Sequence, residues 1–95
     1  MGVQDIADQL KDRVAASGFE KSIRFDTGAD GVMVINGGTV STEDAPADCT
    51  IKLSLSDLES LVAGKLNPTM AFMQGKLKLE GDMAVAMALG KVLKP

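Results

Sequence analysis

The chain has 95 residues, 45% of them apolar and ten of them glycine, a length and composition that predict one globular domain over residues 1–95. Such a chain buries roughly 60–65% of its unfolded surface, so it folds alone with a modest margin. A net charge of −3 argues against nucleic acid and gives no help in docking on anionic lipid, and the lack of histidine removes His-based catalysis and the common zinc sites.

Val3, Ile6, Ala7, Leu10 and Val14 recur at helical spacing, with Asp5, Asp8, Lys11, Asp12 and Arg13 mostly on the other side. This predicts an amphipathic helix ending near Ser17-Gly18. Its polar face carries more acid than base, which suits packing on a sheet better than lying on a membrane. Ser22 to Thr27 then alternates as a half-buried strand, Ala29-Asp30-Gly31 is a turn, and Val32 to Ile35 reads as a more fully buried strand. Asn36-Gly37-Gly38 predicts a hairpin turn, since both residue types tolerate positive φ, and Gly38 to Thr42 is a weak third strand. An exposed loop follows over Thr42 to Pro46. Cys49, Ile51, Leu53 and Leu55 alternate with Thr50, Lys52 and Ser54, which predicts a strand over Cys49 to Leu55.

Ser56-Asp57-Leu58-Glu59 has the form of a capping box opening a helix with Leu58, Leu61 and Val62 inward and Gly64 at its end. Asn67 is a suitable N-cap, Pro68 fits a first helical turn, and Gly75 ends that segment. Lys76 to Glu80 alternates as a fifth strand. Gly81-Asp82 then caps a last helix from Met83 to about Leu93. The first two turns of this helix, Met83 to Leu89, carry no polar side chain on any face. A helix apolar all round is buried all round or faces something apolar besides its own core. Together these elements predict an α+β domain, with helices layered on one face of a five-stranded, mainly antiparallel sheet.

No catalytic constellation emerges. Cys49 is the sole cysteine, which excludes an internal disulfide and suits a reducing compartment. Its strand phase points it inward, and no histidine is present to activate it. The acids Glu43 with Asp44 and Glu80 with Asp82 fall at a loop and beside a helix cap, where acids are expected without any catalytic role. Asn36-Gly37-Gly38 joins two strands and is followed by no Lys-Ser/Thr pair, so it is not a phosphate loop. No cofactor or metal is expected. The first residues lack the charged and apolar regions of a signal peptide, no run approaches a membrane span, and the final Leu93-Lys94-Pro95 is not a Ser-Lys-Leu address. A cytoplasmic location is the expectation.

Four methionines, Met70, Met73, Met83 and Met87, cluster with Phe72 on two neighbouring helical segments. Methionine padding of a core poor in aromatics would explain them. The last helix, however, has apolar residues beyond the stripe that a core contact needs, and Met suits soft, unselective apolar surfaces. An acyl chain gains about 0.8 kcal/mol per buried CH₂, so a pocket built this way needs no exact polar contacts.

The ordered set Gly64-Lys65-Leu66-Asn67-Pro68, Ala71-Phe72, Gly75-Lys76-Leu77-Lys78-Leu79 and Gly81-Asp82-Met83 resembles the C-terminal signature of the sterol carrier protein-2 (SCP-2) domain family. The resemblance extends more loosely back to about Val3. Asp82 stands where the family more often has Asn, and Met33 where many members place an aromatic. The resemblance implies a five-stranded sheet covered by helices with an apolar tunnel between them. It also implies non-covalent binding and intracellular transfer of fatty acids, fatty acyl-CoAs, phospholipids or sterols, while the absence of histidine and of any activated nucleophile predicts no enzymatic activity. Carried onto this sequence, the implied wall comprises Val62 and Leu66, the Met70, Phe72 and Met73 segment, Leu77 and Leu79, and Met83, Val85, Met87 and Leu89. Fatty acid or acyl-CoA is the foremost expected ligand, with transient membrane contact and a monomer or weak homodimer. Two further readings stay open: a dimerisation or interaction module using the last helix, and an accessory domain that presents lipid substrates to an enzyme.

Overall fold

A computed structural model describes residues 2–92 and shows how the apolar pattern is spent. Helix α1 (Val3–Ser17) leads into strands β1 (Ser22–Asp26), β2 (Val32–Asn36), β3 (Thr39–Ser41) and β4 (Cys49–Lys52). Helices α2 (Leu55–Val62) and α3 (Pro68–Met73), strand β5 (Lys78–Gly81) and helix α4 (Met83–Val92) complete the chain. The predicted end of the last helix near Leu93 lies outside the described residues. The strands form one sheet in the order β3-β2-β1-β4-β5, antiparallel throughout except for the parallel β1–β4 pair. Its helix-covered face carries Ile23 and Phe25 from β1, Met33 and Ile35 from β2, and Cys49 and Ile51 from β4. Ile6, Ala7, Leu10 and Val14 of α1 are buried in the same core, as their spacing predicts.

The parallel pairing requires the chain to cross the sheet. Strand β3 lies at one edge and β4 lies beyond β1, so residues 42–48 must pass β2 and β1. Arg24 in β1 anchors this crossing, donating to both carboxylate oxygens of Asp44 at 2.5 and 3.1 Å. The guanidinium holds the Asp44 carboxyl below the usual carboxylate range, so the pair persists to lower pH than an ordinary carboxylate would allow. Asp48 ends the crossing. Its carboxylate accepts from the amide and hydroxyl of Ser22, both at 3.1 Å, and its carbonyl accepts the Asp82 amide, also at 3.1 Å.

Three local expectations are corrected. Strand β4 stops at Lys52, and Leu55 belongs to α2 rather than to the strand. The alternation through Leu53 and Leu55 was ambiguous because Leu55, Leu58 and Leu61 also fall at helical spacing. Ser54, not Ser56, is the N-cap of α2, its hydroxyl accepting the Asp57 amide at 3.1 Å. In the β2–β3 hairpin the two loop residues are Gly37 and Gly38. Gly37 takes the positive φ, 59°, while Asn36 remains the last residue of the strand.

Gly81 fixes the far edge of the sheet. It has φ 101°, and a Cβ there would lie 2.5 Å from the Asp48 carbonyl oxygen and 3.1 Å from the Cys49 Cα. Both obstacles are backbone and cannot swing aside. Asp82 follows at once as the cap of α4, its side chain accepting the Ala84 amide at 2.9 Å. Gly18, with φ 72°, ends α1 in open space, where an added Cβ meets nothing within 4 Å. Gly18→Ala should therefore cost only the left-handed backbone penalty of about 1–2 kcal/mol. Gly81→Ala, strained and obstructed together, should cost about 3 kcal/mol, read as the difference in urea unfolding free energy between each variant and the wild type.

Candidate functional site

The turn after α2 delivers the first part of the site. Gly64 adopts φ 77°, and the Lys65 and Leu66 amides both donate to the Ser60 carbonyl, at 2.9 and 3.1 Å. Asn67 then caps α3, its side-chain oxygen accepting from the Thr69 and Met70 amides at 2.9 and 3.4 Å. Pro68 occupies the first helical turn, where its missing N–H costs nothing. At the other end of α3, the Lys76 amide donates to the Ala71 carbonyl at 2.9 Å and turns the chain toward β5.

Between α3, α4 and the β4–β5 side of the sheet lies a cavity of about 580 Å³. This volume falls within the roughly 300–1,000 Å³ typical of small-molecule sites. Of the predicted wall, Leu66, Phe72, Met73, Leu77 and Leu79 line it, as do Met83, Met87 and Leu89 from α4. Three predicted residues lie elsewhere. Val62 is one step of about 100° around α2 from the lining Leu61 and faces α1. There it borders a separate cavity of about 220 Å³ with Ile6 and Gln9, and its carbonyl accepts from Arg13. Val85 is packed in the core, 3% exposed, and Met70 points to the outside of α3. Helical spacing identifies apolar positions but not which of two apolar neighbours each one meets.

Ile51, Leu61, Pro68 and Ala86 line the cavity without having been predicted. The inward phase of Ile51 and Leu61 was readable as core; that the core opens beside them was not. The polar lining residues Lys65, Asn67 and Thr69 were also missed, because the wall was sought among apolar side chains alone. Lys65 is the one charged residue of the lining. The oxygen of Asn67 is already spent on the α3 cap. Four lining residues, Phe72, Met73, Met83 and Met87, are also between 40% and 79% exposed, so they form the rim of the opening rather than its floor.

Cys49 is buried in β4, and that burial, with Asp82 nearby, pushes its thiol above the ordinary range and away from the reactive thiolate. Among the described residues no three His, Cys, Asp or Glu side chains gather to hold a metal, and no helix is long and apolar enough to cross a membrane.

The SCP-2 sterol transfer family model matches residues 4–94. A stretch of 53 residues, 56% of this chain, is 51% identical to Sterol carrier protein 2 of Bos taurus and covers 10% of that protein. A stretch of 47 residues, 50% of this chain, is 49% identical to Hydroxysteroid dehydrogenase-like protein 2 of Xenopus laevis and covers 11% of it. The matches thus span about a tenth of the length of these curated relatives. The solution NMR structure of palmitated SCP2L2 from Aedes aegypti superposes with a TM-score of 0.77 at 26% identity, covering 98% of this chain and 95% of that one.

Space beside Ala86 makes a direct check of the cavity. Ala86→Leu adds volume toward the opening and should shift the unfolding free energy by less than about 1 kcal/mol. Ala7→Leu, in the closed core under α1, should cost about 1–3 kcal/mol by overpacking. Equal costs in urea melts would mean that α4 packs as densely as α1.

Proposed function

The chain belongs to the SCP-2 sterol transfer family, and from that premise we propose that it binds a single acyl chain, of a fatty acid or fatty acyl-CoA, in the α3–α4 cavity and carries it between donor and acceptor. The observation that supports this reading is a cavity walled by leucine, methionine and phenylalanine side chains with a single lysine among its lining residues. Ten buried methylenes contribute about 8 kcal/mol gross, which equals the free energy of a micromolar complex before the costs of ordering both partners. Acyl ligands longer than ten carbons are therefore the class that fits. The palmitated relative from Aedes aegypti supports the same ligand class. Methionine walls adapt to differing chains, which favours broad selectivity over recognition of one lipid.

No catalytic step is part of this reading, given a chain without histidine and a buried, poorly ionised Cys49. A second role is compatible with the same site. The curated relatives are about ten times longer than the matched stretch and include a hydroxysteroid dehydrogenase-like protein, which favours presentation of a bound lipid to an enzyme as the use of the cavity.

Titration with fatty acids of increasing length should give one site whose affinity rises up to about fourfold per added methylene, then levels off once the cavity is full. Lys65→Gln should weaken carboxylate ligands about twofold to fivefold, as expected of an exposed ion pair, while leaving the matching fatty alcohol unchanged. Binding at many weak sites, or without dependence on chain length, would refute the proposal.

A further inference from the structure

Hydrogen peroxide attacks sulfur before other side chains, and this chain offers it little besides methionine. Tryptophan, tyrosine and histidine are absent. The sole cysteine, Cys49, is buried in β4 and kept as the unreactive thiol. Among the described residues the methionines divide in two. Met33 is fully buried under the helices, whereas Met70, Met73, Met83 and Met87 are between 52% and 79% exposed on α3 and α4. Three of these four, Met73, Met83 and Met87, line the α3–α4 cavity, and Met70 does not.

The consequence of oxidising the lining sulfurs depends on whether the cavity is full. A sulfoxide replaces a soft apolar thioether with a strongly polar S–O group. In the empty protein these side chains stand in water, so the new oxygen stays hydrated and the fold loses little. A bound acyl chain changes this. The lining side chains then either bury the oxygen without a partner or turn outward and give up their contact with the chain. Both penalties fall on the loaded state alone. The same packing works in reverse, because an acyl chain lying over the three sulfurs shields them from the oxidant.

We infer that Met73, Met83 and Met87 form a modification site for hydrogen peroxide, at which conversion to sulfoxide discharges the acyl ligand from the cavity. The inference rests on the acyl-chain reading of that cavity. In the step itself a sulfur lone pair attacks one peroxide oxygen as the O–O bond breaks. The S–O bond forms, sulfur gives up two electrons to the peroxide, and the second oxygen leaves as water with both hydrogens. No nucleophile or base of the protein takes part. Return to the thioether requires a thiol-dependent sulfoxide reductase.

The test treats the full chain with hydrogen peroxide, with and without saturating palmitate, and follows each sulfur by peptide mass spectrometry. Met73, Met83 and Met87 should oxidise several-fold more slowly when palmitate is bound, Met70 equally in both states, and Met33 in neither. Palmitate affinity should fall about tenfold on oxidation, with the urea midpoint unchanged, and methionine sulfoxide reductases with dithiothreitol should restore it. A triple variant, Met73→Leu with Met83→Leu and Met87→Leu, keeps an apolar wall without oxidisable sulfur. Its affinity, whatever the starting value, should be the same before and after peroxide, while Met70→Leu should leave the wild-type loss intact. The inference is overturned if oxidised protein binds palmitate as the reduced protein does, or if the triple variant loses affinity as the wild type does. It is equally overturned if the loss accompanies Met33 oxidation and a lower urea midpoint, which would be unfolding. A wild type that takes up no palmitate before peroxide removes the acyl-chain reading and this inference together, whereas unaltered binding after oxidation removes this inference alone.

Discussion

Helix α4 has more apolar surface than the sheet beneath it can cover, and the architecture of the C-terminal third follows from that surplus. Met83 to Leu89 present apolar side chains on every side. Val85, Ala86 and Leu89 are buried, the last two along the cavity, and Met83 and Met87 remain more than half exposed. Full burial of a methionine contributes about 1.5–3 kcal/mol, so leaving two of them at the surface forgoes a sizeable part of a small domain's stability. Such a loss is tolerable where the exposed side chains have an apolar ligand or surface to meet. Short α3 meets α4 where Pro68 lies beside Gly90 and, set by the Asn67 cap and the Lys76–Ala71 turn, is the other lip of that opening.

The opening keeps its shape because its supports are backbone contacts. At Gly81 the chain comes so close to Asp48 and Cys49 that no side chain fits. The next residue both caps α4 and bonds to the Asp48 carbonyl. Asp48 in turn grips Ser22 at the start of β1. One short polar chain of contacts thus links the first strand, the central parallel pairing and the start of α4. The apolar residues around the cavity do not have to set the position of the helix, and soft methionines can serve there without loosening the fold.

Much of this was legible in the sequence, for identifiable reasons. Caps, turns and alternation are local, and Asn67, Pro68, Gly75 and Asp82 all act as local chemistry predicts. Where two local signals overlapped, as at Ser54 and Ser56, packing chose between them, and α2 began earlier than the alternation suggested. The direction of each apolar side chain was not local. Leu61 and Val62 are adjacent and both buried, yet they border different cavities because α1 approaches one side of α2 and the sheet the other. The excess of five lysines over two acids after Gly64 was present in the sequence but hidden by the net charge.

The methionines themselves offer the most direct test that the α3–α4 cavity holds the acyl chain. With ¹³C-methyl methionine, one equivalent of palmitate should shift the resonances of Met73, Met83 and Met87, which line the cavity. Met33, fully buried in β2, and Met70, outside the cavity, should stay in place. Saturating palmitate that leaves the three lining methyls unmoved, or that moves Met33 as strongly as Met83, would contradict the account.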